Sequence, residues 1–363
     1  MGIGRFVYTP ILPLMVEDLG MTKGAAGLLA SANFAGYLAG ALLAVTPTVR
    51  GSRRTWLIIA LTVSSLTTGA MAFASSDVAF LALRFAGGVA SAFVLVFASA
   101  LVLDRLGAAG RSGLSAVHFA GVGAGIALSA VIVSSLVAWE GGWRLLWLAS
   151  GLVSLVALGI VAGLIPDRVE PATGMVSRAS RGNRRLAALV VAYGLFGFGY
   201  VITATFLVAI VRGSDQVRPL EPWVWLVVGL TAAPSVALWT WVGEKIGIGR
   251  AFAAACGMEA VGVAASVLWL APAGILLAAA LLGGTFMGLT ALGLMGARRL
   301  THGDPRSTFA VMTAAFGFGQ IVGPTFAGVV YDATGTFLVP SLTAVGALSV
   351  GALLAIVGSP QTS

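Results

Sequence analysis

The chain has a single cysteine, Cys256, among 363 residues. No disulfide can form within it, and cysteine usage says nothing about redox compartment. Two histidines, His118 and His302, cannot build a zinc site with so little cysteine beside them. Charged residues make up only 9%, whereas a soluble domain carries about a quarter. Too few charges are present to clothe a water-facing surface. The net charge of +8 does not indicate nucleic acid, because the basic residues fall in short clusters between apolar runs. The start lacks a basic segment followed by an apolar core, so no cleavable signal peptide is read. Gly121-x-Gly123-x-Gly125 follows no strand and is no nucleotide loop. Neither a nucleophile–base pair, a metal cluster nor an aspartate dyad is visible, which argues against an enzyme, and no cofactor is expected.

What is present is apolar: 58% of the residues are hydrophobic. A membrane helix needs about 20 mostly apolar residues. Twelve spans meet this pattern, at 1–16, 25–49, 55–74, 78–103, 112–138, 143–165, 186–211, 222–243, 251–270, 272–297, 307–330 and 336–358. The expected fold is an all-α bundle in a lipid bilayer. Only 16 residues precede Glu17-Asp18, at most ~24 Å of helix, so several residues of the first helix are expected to be missing.

Basic residues give the orientation. With a cytoplasmic N-terminus, inward loops hold fifteen of the 21 and outward loops four, Lys23, Arg144, Arg212 and Arg218. That asymmetry follows the positive-inside rule and places both termini in the cytoplasm, in an inner membrane. The segment 166–185 is polar and carries five arginines. It reads as a cytoplasmic linker between a bundle at 1–165 and a second at 186–363. Gly4-Arg5-Phe6-Val7-Tyr8-Thr9 lies 195 positions before Gly199-Tyr200-Val201-Ile202-Thr203-Ala204, and Gly87-Gly88 lies 196 before Gly283-Gly284. Gly121-Val122-Gly123 lies 196 before Gly317-Phe318-Gly319. A near-constant offset points to duplication.

Several stretches resemble the major facilitator superfamily. Leu83-Arg84-Phe85-Ala86-Gly87-Gly88 is similar to its R-x-x-x-G motif, and Gly243-Glu244-Lys245-Ile246-Gly247 with Arg250 to its 8–9 loop. Asp104 and Arg111 resemble the acidic-x6-Arg pair of the 4–5 loop, and Gly142-Trp143-Arg144 is also familiar. The 2–3 loop, Arg50 to Arg54, departs from the pattern in having no aspartate. Residues 2–10, 31–37 and Gly319-Gln320-Ile321-Val322-Gly323-Pro324 look like the YbfB/YjiJ-type branch. The resemblance implies two six-helix bundles around a central cavity, a small-molecule substrate moved by alternating access, a proton as coupling ion and a monomeric protein. No ATP-binding motif appears, so a gradient or the substrate itself must supply the energy.

Charges inside spans are costly and mark candidates. Arg5 lies ~18 Å of helix from Glu17, near the midplane. The resemblance puts it beside the cavity, where its forked donors suit a carboxylate or phosphate. Its alternative is packing against carbonyls freed by Pro10 and Pro13. For Arg84 the resemblance suggests proton coupling or contacts between spans 1 and 4; otherwise it snorkels. Glu259, the lone carboxylate deep in a span, is a candidate proton carrier, although span 9 is usually peripheral in this architecture. His118 is a further titratable candidate. Tyr8, Thr9, Asn33, Tyr37, Tyr193, Tyr200, Thr203 and Gln320 fall on spans expected to line the cavity, where they orient substrate or bond between helices. By resemblance, Asp104, Arg111, Glu244 and Lys245 are gating residues that hold an outward-open state. Gly36-x-x-x-Gly40 and Gly319-x-x-x-Gly323 permit close helix packing. A membrane receptor on the same scaffold remains the alternative to transport, and drug-like efflux competes with organic-anion transport.

Overall fold

The computed structural model describes residues 1–46, 49–165, 184–301 and 305–357. Most of the expected linker, 166–185, lies outside the described residues. The chain is helical throughout its described length: α1 Gly2–Phe6, α2 Tyr8–Leu19, α3 Lys23–Ala44, α4 Arg53–Ala70, α5 Asp77–Ala108, α6 Ser115–Val137, α7 Trp143–Leu164, α8 Arg184–Arg212, α9 Glu221–Ile246, α10 Ile248–Leu268, α11 Pro272–Leu300, α12 Pro305–Thr334 and α13 Leu338–Val357. Eleven of these are long and apolar enough to cross a membrane. The expected first span is the pair α1 and α2. Pro10 has no N–H to donate to the Phe6 carbonyl, and helical regularity lapses beside it at Val7. The other eleven expected spans each coincide with one long helix.

Helix ends follow ordinary local chemistry. The Thr22 hydroxyl accepts from the Ala25 N–H at 3.1 Å to start α3, and Ser76 does the same for Ala79 at the start of α5. Gly20 closes α2 in the left-handed region, at φ 61°. Large apolar side chains such as Trp139, Phe73, Leu164 and Val357 remain exposed along the bundle. In water such a surface would associate; in lipid it is the solvated face.

Three helix seams carry much of the packing. α3 packs along α5 and α12, and α6 packs along α9. A Cβ at Gly27 would lie 2.1 Å from the Pro324 carbonyl oxygen, and one at Gly123 would lie 2.3 Å from the Ala233 nitrogen. Backbones meet directly at these seams, as small residues allow. The Gly36/Gly40 pair packs on Phe85 and Val89 of α5, and Gly319/Gly323 on Gly194 and Val201 of α8. At the end where α2 stops and α3 starts, Arg212 bridges Glu17 at 2.6 Å and Glu221 at 2.8 Å. There the Asp332 carboxylate also accepts from the Lys23 and Gly24 N–H groups, at 2.9 and 2.7 Å. α5 and α11 hardly touch among the described residues.

Candidate functional site

Arg5 and Arg84 are 6% and 4% exposed, and both line one small cavity midway along the bundle. With them are Phe6, Tyr8, Thr9, Ala30, Phe34, Tyr200, Ala204 and Thr205. Its volume is about 20 Å³, room for about one water.

The Arg5 guanidinium donates to Gln320 Oε1 at 3.2 Å. It lies over the rings of Tyr37, Phe34 and Phe6, at 4.1, 4.9 and 5.4 Å. Its Nε is buried without a hydrogen-bond partner. Among the described residues, its hydrogen bond and ring contacts go to α3, α12 and Phe6 rather than to carbonyls beside Pro10 and Pro13. Gln320 in turn donates from Nε2 to the Tyr200 hydroxyl. Arg84 lies over Tyr8 at 4.5 Å and Trp147 at 6.0 Å. Its one side-chain hydrogen bond is long, 3.4 Å from Nε to the Leu29 carbonyl. Among the described residues no carboxylate is paired with either guanidinium. Two buried cations without counter-ions form a site that is electrostatically incomplete. Aromatic faces offset part of that deficit.

The remaining predicted residues divide by location. Tyr8 donates to the Ala26 carbonyl at 2.7 Å and Thr9 to the Ala204 carbonyl at 2.8 Å, so their polar ends tie helices while their bodies line the cavity. Asn33 donates to the Arg84 backbone carbonyl at 2.8 Å and holds α3 on α5. Thr203 is buried with its hydroxyl unpartnered, and it is not among the residues that line the cavity. Tyr193 bonds the Thr290 carbonyl and stacks on Phe316. Glu259 is 1% exposed against α11, where Thr285 is its hydrogen-bond partner. His118 is half-buried and shares a 3.1 Å hydrogen bond with Ser99, away from both arginines.

At the arginine-rich end, Asp104 pairs with Arg53 rather than with Arg111. The aspartate absent from the 2–3 loop is thus supplied by α5. Arg111, Glu244 and Lys245 are exposed, and no ion pair joins them among the described residues. At the other end, Arg212 donates to Glu17, beyond its span, and holds that carboxyl below the usual range, with Arg218 and Lys23 adding to the effect. Sequence reading passed over Phe6, Phe34, Trp147 and Asp332, since nothing in their local pattern sets them apart.

Among solved structures, the nucleoside transporter NupG matches with a TM-score of 0.75 over 99% of this chain and 98% of that one, at 15% identity. That likeness is one of fold; the class, a secondary transporter of the major facilitator type, comes from the family model. A family model described as "Uncharacterised MFS-type transporter YbfB" matches residues 1–356, and the chain belongs to that family. The MFS-type transporter YceJ of Bacillus subtilis (strain 168) is 24% identical over 354 residues, 93% of this chain and 87% of that protein. A gallate transporter of Pseudomonas putida is 29% identical over 195 residues, 54% of this chain; the match spans 42% of that relative's length.

Proposed function

We propose that this protein carries small organic anions, aromatic carboxylates foremost, across the inner membrane, driven by the proton gradient. The observation that carries this reading is the pair Arg5 and Arg84: buried, facing one cavity and, among the described residues, lacking a carboxylate partner. A carboxylate between them would complete the charge balance and take the bidentate donors that guanidinium offers. A planar ring on that carboxylate suits the surrounding Phe6, Phe34, Tyr8 and Tyr200 faces. The name of the gallate transporter points to the same chemistry.

The arginine-rich end is cytoplasmic in this reading, with both termini there, and the chain works as a monomer. Residues 1–165 and 186–363 rock as two bundles, and the linker between them stays inside the cell. Two contacts support the duplication. Thr9 meets Ala204 and Glu17 meets Arg212, each across 195 positions, the offset of the Gly4 and Gly199 stretches. Equivalent residues of a repeat meet where they flank its axis. The conformation is then closed outward by Arg212 and Asp332, and solute exchange proceeds through the cytoplasmic end.

Uptake into proteoliposomes tests the reading. Benzoate and gallate are expected to accumulate saturably under an inward proton gradient, while benzamide, which is neutral, does not. Arg5→Gln is expected to abolish the uptake. Equal transport of benzamide, or full activity of Arg5→Gln, would count against an anion site. An inert wild type would favour the receptor alternative.

A further inference from the structure

We infer that Glu259 is the seat of the transported proton, and that it is a neutral acid in the conformation described here. This rests on the proton-driven reading above and names the group on which that coupling acts.

Three observations carry it. First, Glu259 stands halfway along α10, whereas the other carboxylates of the described residues lie at helix ends, such as Glu17, Asp77, Asp104 and Asp332, or in connections, such as Glu140 and Asp215. Second, its hydrogen bonding fits an acid. Thr285 Oγ lies 2.7 Å from the Leu281 carbonyl and also meets Glu259 Oε2. A hydroxyl has one proton. Thr290 and Thr231 on neighbouring stretches of helix give theirs to the carbonyl four residues back, at 2.9 and 2.8 Å. Thr285 doing likewise leaves the shared hydrogen on Glu259. If Thr285 turned its proton toward Glu259 instead, a carboxylate would be buried with one donor, no cation, and Oε1 bare. The acid avoids that cost, because its bare oxygen is an uncharged carbonyl.

Third, the residue beside Thr285 leads to the anion site. Phe286 stacks on Tyr200, with centroids 5.8 Å apart and planes 6° from parallel. Tyr200 is held by Gln320, and Gln320 by Arg5. The titratable groups facing Glu259 are Tyr200 on α8 and Cys256 one turn earlier on α10. Among the described residues, the membrane-embedded stretches of α9, α11 and α13 packed on α10 carry no Asp, Glu, Lys or Arg. Its ionisation is therefore felt mainly across Tyr200, on the side where Arg5 waits for an anion. A carboxylate at Glu259 repels an anion bound at Arg5, and the acid does not. The two ligands reinforce each other: bound anion raises the proton affinity of Glu259, and a proton there raises the anion affinity by the same factor. The coupling is thus symport. The proton is taken from water at one face and released to water at the other, with no other co-reactant. Among the described residues Arg84 has no carboxylate partner, and His118 is bonded to Ser99.

The test uses benzoate as the probe, with Glu259→Gln, which mimics the acid. The variant is expected to keep benzoate exchange at equilibrium and to lose accumulation against a gradient. Infrared difference spectra of the wild type are expected to show a protonated-carboxyl C=O band that Glu259→Gln removes. Thr285→Val is expected to move the pH profile of driven uptake, and that of benzoate exchange in the same direction. The inference is overturned if Glu259→Gln still accumulates benzoate, if the band is absent, or if it survives the substitution. An unmoved Thr285→Val profile also counts against it. A wild type that moves no anion sinks the transport reading instead, and the infrared band then decides the state of Glu259 independently.

Discussion

At the scale of single residues, the charge most exposed to test is Arg5. Lysine would keep the charge but lose the planar fork and its flat contact on Tyr37 and Phe34. A charge-assisted hydrogen bond contributes about 1.5–3 kcal/mol, so Arg5→Lys is expected to raise the KM for benzoate roughly 10- to 100-fold. A smaller effect on kcat would mark the loss as one of binding. Arg5 is legible in the sequence because a charge within a span is costly and so carries information. Phe6 and Phe34 are not, because an aromatic residue in an apolar helix reads the same whether it faces lipid, a neighbour or a cavity. Asn33 shows the converse. Its polarity drew attention, yet its amide supports the Arg84 backbone. Local polarity marks a group that needs a partner without saying which partner it finds.

At the scale of helices, the seams decide. Gly27 and Gly328 let α3 and α12 touch backbone to backbone, and a Cβ at Gly328 would lie 2.1 Å from the Lys23 carbonyl oxygen. Overpacking a close contact costs about 1–3 kcal/mol. Gly27→Val is therefore expected to lower the melting temperature in detergent and to loosen the end sealed by Asp332. Thermal unfolding followed by Trp fluorescence would check this. Helix positions could be read from apolar run length alone, since eleven expected spans each became one helix. The break at Val7 needed the prolines, which were visible, together with the neighbours that tolerate it, which were not. The partner of Asp104 is likewise a matter of packing. A seven-residue spacing pairs it with Arg111 along the chain, but packing of α4 on α5 brings Arg53 closer.

At the scale of the whole molecule, two latches hold one end shut: Glu17–Arg212–Glu221 and Asp332 on the start of α3. Removing Asp332 strands two N–H groups and frees α3 from α12. In a Cys256→Ala background, Asp332→Ala is expected to raise the labelling of Ala204→Cys by an impermeant maleimide several-fold. Unchanged labelling would show that the latch does not set the conformation. Acid acts on the other latch. Because Arg212 depresses the Glu17 carboxyl, its contribution is full above the ordinary carboxylate value of ~4.3 and is lost as pH falls through the lower folded value. The melting temperature of wild type is expected to fall further between pH 6 and 3, limits of roughly this window, than that of Glu17→Gln.

By itself, the sequence determined that this chain lives in lipid, how many times it crosses, and which buried charges needed an explanation. Those properties follow from run length and from the cost of a charge in hydrocarbon, both of which are local sums over neighbouring residues. Only the tertiary structure decided that Arg5 and Arg84 face one cavity with no counter-ion among the described residues. It alone also showed that Gln320 and Tyr200 link Arg5 toward Glu259, and that one end is sealed. Each of these joins residues many helices apart, and the distances between helices are set by side-chain packing that no linear pattern encodes.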